Sequence, residues 1–465
     1  MTDQDLVGTA FDGLRANFRG ELLEPGSRAY DEARVVWNKR VDRRPALIAR
    51  CTGVADVLAA LAAAREFGGD VAVRGGGHDV AGNAVCERGV VIDLSPMKGV
   101  RVDPVRRVVR AQAGLTWAEL DRETQAFGLA TTGGQCSSTG VAGVTLGGGF
   151  GWLMRTHGLT IDNLLSVDVV TADGRLLTAS EEENPELFWG LRGGGGNFGI
   201  VTEFELRLHP VTDVVGGLLV YPGEMTADVF AFYGEWARNE PNSVTSTVLS
   251  LTAPPMPALP QEMHGKPAVA IGVCYSGPQE DADAVLGPLR AWGPPAADMI
   301  ASMPYLTLQS MFDGMPAGDY GYHQSIRSCY LPELSGRAIE ALTAHVADAV
   351  SDQCIVEVIH LEGAISDVAE PGTAFPGRDA RFFCMLQSTW TDPADAESHT
   401  AWTQAGWEAV NEFSDGRTYP NFLDGADPAS RVADSYGPRK MARLADLKRE
   451  FDPANLFHLN KNIEP

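Results

Sequence analysis

The sequence predicts an α+β chain built as two domains, and three observations carry that expectation. A strand, a helix and a second strand between Pro45 and Val73 form a β-α-β unit that runs into a glycine turn. Two further glycine-dense stretches, at 133–151 and 193–199, also sit beside predicted strands. Past His209-Pro210 the glycine clusters thin out, and proline-rich loops separate strands from helices to about residue 415. That is the texture of a separate α+β domain.

Taken in order, residues 31–44 read as an extended arm, and Pro45 to Cys51 as a buried strand. Val54 to Phe67 is a helix, with Asp56 near its start, apolar residues at 54, 57, 58, 61 and 62, and Gly68-Gly69 at its end. Asp70 to Val73 then feeds the turn Arg74-Gly75-Gly76-Gly77-His78-Asp79. Strands follow at 89–94 and 108–114, then a helix from Thr116 to Phe127 whose Thr116 and Glu119 form a capping box. Leu165 to Thr171, the Asp173-Gly174 turn and Arg175 to Leu177 read as a hairpin, and Val201 to Leu208 as a strand. In the second half, Ala268 to Tyr275 and Phe382 to Trp390 read as strands. Gly336 to Val350, Ser398 to Phe413 and Leu444 to Phe451 read as helices.

Composition bounds the function. The chain has 465 residues, long enough for two or three domains. A net charge of −24, from 61 acidic against 37 basic residues, argues against nucleic acid and anionic membranes. No apolar run is long enough to span a membrane, and Met1 to Leu6 lack the pattern of a secretory leader. Seven scattered cysteines give neither a metal pattern nor a disulfide framework, which fits buried thiols in a reducing cytoplasm for all but Cys136.

Consecutive glycines let a backbone approach a ligand closely and present successive N–H groups, which suits an anion such as a diphosphate. Two such segments suggest one long cofactor held along its length. No Gly-x-Gly-x-x-Gly opens a helix, so the nicotinamide-dinucleotide fingerprint is missing. On the strand Val356 to Gly363, alternation puts Val356, Val358, His360 and Glu362 on one face and Glu357, Ile359 and Leu361 on the other. Glu357, His360 and Glu362 are candidates to meet a substrate, as are Tyr305, Gln387 and Trp390.

Arg74 to His78, Gly134 to Gly143, Leu146 to Trp152, Glu186 to Trp189, Gly195 to Gly199, Tyr419-Pro420-Asn421 and Asn460 to Pro465 together resemble the berberine bridge enzyme-like oxidases, within the vanillyl-alcohol oxidase superfamily. The resemblance spans nearly the whole chain and implies a bacterial secondary-metabolism enzyme with a PCMH-type FAD-binding fold. Its FAD domain would come from residues 1–210 and 416–465. Between them, 211–415 would form a substrate domain, an antiparallel sheet flanked by helices.

It further implies covalent FAD, through the 8α position to His78 and through C6 to Cys136. Arg74, Gly75, Gly76, Gly77, Asp79, Gly140, Gly143, Gly147, Gly148, Gly149, Gly151, Gly199, Ile200, Val201, Asn421, Asn460 and Asn462 would help hold it. Thr139 takes the place of a gatekeeper for O2, and Tyr419 that of the base near flavin N5. The activity implied is oxidation of a hydroxyl-bearing sugar, glycoside, polyketide or alkaloid, with O2 reduced to H2O2. Two alternatives stay open: an oxygenase using a flavin N5-oxide, and a non-catalytic flavin-binding protein. Substrate identity and oligomeric state are not readable.

Overall fold

The computed structural model describes residues 11–425, 427–428 and 430–465; Met1 to Leu6, read above for a leader, lie outside them. The fold is α+β. The first half carries two sheets. In a four-stranded sheet, Leu47–Arg50, Val90–Asp93 and Val71–Arg74 run parallel, with Glu21–Leu23 antiparallel at one edge. The helix Val54–Phe67 crosses between the first and last of these and buries Val57, Ala60, Leu61 and Ala64. It ends at Gly68, whose φ of +74° only glycine adopts cheaply.

A five-stranded antiparallel sheet follows, in the order Val100–Asp103, Val108–Gln112, Ile200–Arg207, Leu164–Val170, Leu176–Ser180. The helix Trp117–Gln125 beside it starts where the capping box predicts, with the Glu119 carboxylate accepting the Thr116 N–H at 2.8 Å.

The second half forms one antiparallel sheet of eight strands among the described residues. Neighbouring strands in it are Pro267–Tyr275, Val244–Thr252, Cys354–His360, Phe382–Trp390 and, at the edge, His323–Leu331. One face buries Val248, Val356, Val358, Cys384 and Leu386 under the helices Thr226–Ala237, Ala282–Ala291, Gly336–Ala347 and Ala396–Asn411. The other face looks back at the first half.

Two expectations need correction. The arm is not extended throughout, because Arg28–Ala33 is a helix capped by Ser27. The last helix is Ser430–Phe451 rather than 444–451, and it is broken at Gly437, φ +71°, before Pro438. Its Tyr436, Leu444, Leu447 and Phe451 pack into the core of the first half. The Lys448 ammonium anchors this return, bonding Asp452 at 2.8 Å and the carbonyls of Asn197 and Phe457, with both charged side chains fully buried. A buried pair of this kind is costly to break on one side only.

Candidate active site

The strand Val71–Arg74 delivers its chain to Gly75, Gly76 and Gly77, and Gly77 turns it with φ +74°. Gly76 lies against Gly140 so closely that a Cβ on it would come within 2.5 Å of the Gly140 Cα. The two glycine segments therefore touch backbone to backbone. Among the described residues, the N–H groups of Gly75, Gly76, Gly77 and His78 donate to no protein acceptor.

His78 closes the turn. Its ring stacks on Trp37 at 5.2 Å, meets Tyr320 edge-on at 5.2 Å, and places Nε2 3.3 Å from Ser138 Oγ. Burial, with Arg74 nearby, lowers its pKa to about 3, so the imidazole is neutral. Asp79 does not orient that ring. It accepts the Asn83 N–H at 3.1 Å and pairs with Lys461 at 3.1 Å. Arg74 points away from the cavity, donating to the Ala33 carbonyl.

The second loop is pinned from behind. Gln309 Nε2 donates to the Gly134 carbonyl at 2.6 Å, Ser137 donates to Asp313 at 2.5 Å, and Ser138 donates to the Gly318 carbonyl at 3.2 Å. Thr139 spends its hydroxyl proton on the Cys136 carbonyl at 2.7 Å, so it has no proton left for a ligand. Cys136 faces the cavity as a thiol, its pKa pushed up to about 12 by burial and by Glu357, Asp313 and Asp319.

The third wall comes from the far ends of the sequence. Tyr419 Oη accepts the Gly149 N–H at 3.0 Å and Asn421 Nδ2 at 2.9 Å, and Asn421 also donates to the Gly143 carbonyl. Burial outweighs these two donors and pushes the Tyr419 hydroxyl up, away from ionisation.

These loops and one face of the large sheet enclose a cavity of about 390 Å³. Alternation on the strands turns Ile355, Glu357 and Ile359 into it, with Phe383, Met385 and Gln387 beside them. Glu357 is 7% exposed, accepts a hydrogen bond from Thr247 Oγ1 at 2.9 Å and another from Gln135. Desolvation raises its pKa to about 7.

His78, Cys136, Thr139, Glu357, Gln387, Tyr419 and Asn421 thus line one cavity, together with Gly75, Gly76, Gly77, Asp79, Gly140, Gly143, Gly147, Gly199, Ile200, Val201 and Asn460. Several expected residues do not. His360 points to the opposite face, held between Glu240 at 2.5 Å and Glu362 at 2.8 Å beside the buried Arg155. Glu362 follows the strand's end at φ +59° and pairs with Arg381. Tyr305 is fully buried behind the second loop, donating to Gln309 at 3.1 Å.

Trp390 stacks between His323 and His399 at the far end of its strand. Gly148, Gly149 and Gly151 serve packing, since a Cβ on Gly151 would sit 1.7 Å from the Gly133 carbonyl oxygen. Asn462 lies outside the lining, although its Oδ1 is buried without a partner among the described residues. Trp37 and Gln135 were missed. Trp37 lies in a stretch that reads only as a polar arm, and no spacing marks Gln135.

The residues fit FAD. A row of unspent backbone N–H groups at a glycine cradle suits a diphosphate, and the Oδ1 of Asn460 is buried on the lining with no partner among the described residues. The neutral imidazole of His78 and the thiol of Cys136, on two touching loops, are the nucleophiles that attachment would need.

Comparison with known proteins points the same way. Residues 45–180 match the FAD binding domain family, and 418–464 the berberine and berberine-like family. An FAD-linked oxidoreductase of Dictyostelium discoideum is 30% identical over 454 residues, 97% of this chain and 95% of that one. The structure of 6-hydroxy-D-nicotine oxidase from Arthrobacter nicotinovorans superposes with a TM-score of 0.86 at 26% identity, covering 96% of this chain and 98% of the other. Xylooligosaccharide oxidase from Myceliophthora thermophila shares the fold, with a TM-score of 0.84 at 22% identity over 99% of both chains.

Proposed function

This chain belongs to the berberine and berberine-like family of FAD-linked oxidoreductases, and from that premise we propose that it is an oxidase of a hydroxyl-bearing small molecule, with O2 as acceptor and H2O2 as product. The observation that carries this reading is the Glu357 carboxyl, buried, with a pKa of about 7, facing the cavity that the glycine loops enclose. FAD bound there would supply the hydride acceptor and the route for electrons to O2.

Gly75 to His78 would hold the diphosphate with their free N–H groups, and Asn460 would bond the cofactor through its unpartnered oxygen. His78, neutral at working pH, would carry the covalent link, with Cys136 as the second point of attachment once its thiol proton is lost.

Glu357 takes the hydroxyl proton of the substrate. Near neutral pH it is partly ionised and therefore matched to the task. Tyr419, expected above as the base, is held protonated by its burial. Its oxygen already accepts two N–H bonds, which leaves its proton to bond and orient the substrate oxygen. Phe150 and Phe383, packed around the Tyr419 ring at 4.5 and 6.3 Å, keep water away.

The test is anaerobic titration of the holoenzyme with a panel of alcohols, phenols and sugars. At least one should reduce the flavin, and Glu357→Gln should slow that reduction by about 10²–10⁴ while leaving the oxidised spectrum unchanged. Equal rates in the two proteins would remove Glu357 from the mechanism, and a panel without any reductant would remove the oxidase reading.

A further inference from the structure

We propose, building on the oxidase reading, that the substrate is an apolar ring system carrying a single hydroxyl, and not a carbohydrate. The side chains that the large sheet turns into the cavity are Leu249, Ile326, Ile355, Ile359, Phe383 and Met385, with only two polar ones, Glu357 and Gln387, among them. Phe312 and Met315 close over this end from the segment that also pins the second glycine loop. The wall opposite the cofactor loops is therefore aliphatic and aromatic, a surface that gains from covering apolar rings.

The polar atoms on this side are few and mostly spent. The Gln387 amide donates to the Ala317 carbonyl at 2.9 Å and to Gln324 Oε1 at 3.0 Å, which leaves only its carbonyl oxygen. Glu357 accepts from Thr247 at Oε1 and also from Gln135. For a ligand there remain lone pairs on Glu357, the Gln387 carbonyl oxygen, the Tyr419 proton and the rest of the Gln135 amide. A hydroxyl can donate to one of these acceptors, and few groups are left for a second or a third. A sugar ring brings several hydroxyls, and those beyond the first would give up water for methyl and methylene groups. Sites built for polyols supply a matching number of hydrogen-bonding side chains, and this one does not.

Charge narrows the class further. Among the described residues, no lysine or arginine lines the sheet side of the cavity, and Asp313 and Asp319 flank Cys136 together with Glu357. Lys461, at the cofactor end, is held by Asp79 and the Leu423 carbonyl. Among the described residues, a carboxylate substrate would find no cationic side chain on this side to pair with.

The test uses the holoenzyme and its flavin absorbance as the reporter of binding. Cinnamyl alcohol and 2-naphthol serve as apolar mono-hydroxyl probes, and glucose and xylobiose as carbohydrates. The apolar probes should perturb the flavin band with dissociation constants at least about tenfold below those of the sugars, and Ile355→Asn should weaken them by about tenfold without altering the free spectrum. Sugars that bind as tightly, or apolar probes that leave the band unchanged up to their solubility limit, would overturn the proposal. Peroxide release by the photoreduced enzyme reports on the oxidase reading whichever probe binds, so the two fail separately.

Discussion

Gly76 and Gly140 meet backbone to backbone, with room for no side chain on either: a Cβ on Gly140 would stand 2.5 Å from the Gly76 nitrogen. That contact joins the loop that ends in His78 to the loop that carries Cys136. Gly76→Ala should force the loops apart, destabilising the protein by about 1–3 kcal/mol as an overpacked core does. It should also lower the flavin content of the purified protein. Normal flavin loading with an unchanged melting temperature would show that the contact is dispensable.

Covalent attachment has a direct signature. Denatured in acid, the wild type should keep its yellow colour on the chain, and His78→Ala should release FAD into the supernatant. Cys136→Ala should retain the colour but shift the visible band if the second bond forms. Free flavin from the denatured wild type would refute both links.

Tyr419→Phe should slow flavin reduction by roughly tenfold and cost about 1–3 kcal/mol of stability. The substitution strands the Gly149 N–H and the Asn421 amide, which now share that hydroxyl. Unchanged reduction kinetics would take Tyr419 out of substrate orientation and leave it a packing role.

Asp121 makes stability depend on pH in a predictable sense. Its carboxyl is buried behind the second glycine loop, with neither oxygen partnered among the described residues, and desolvation raises its pKa from 3.8 to about 8. The folded state thus binds a proton that the unfolded chain has released between about pH 4 and 8, so its contribution to stability falls as pH rises through that window. Asp121→Asn removes the ionisation. The variant should gain on the order of 1–3 kcal/mol over the wild type at about pH 9 and nothing at about pH 4. A pH-independent difference in thermal denaturation would contradict this account.

The fold was legible where local chemistry decides it. The helix Val54–Phe67 carries its own stop in Gly68, and the capping box at Thr116 marks the next helix start. Alternation on Cys354–His360 separates Glu357 and Ile359 from Val356 and Val358, but it does not say which face the helices cover. That is decided by tertiary packing, and so His360 and Glu357 looked equally eligible. Trp390 and Tyr305 show the same limit, since an aromatic residue type names no direction. The terminal helix runs further than its last two turns, because Gly437 and Pro438 form a kink inside a helix that docks on the N-terminal core. The cofactor loops were legible because glycine is required where two backbones approach as closely as Gly76 and Gly140 do.

The proposed reaction has this FAD-linked oxidoreductase hand its electrons to O2. Its most direct test needs no substrate: the holoenzyme is photoreduced without oxygen, mixed with air-saturated buffer, and followed by flavin absorbance and peroxide assay. The account predicts complete reoxidation within seconds and one H2O2 per flavin. Flavin that stays reduced for minutes in air and yields no peroxide would contradict it.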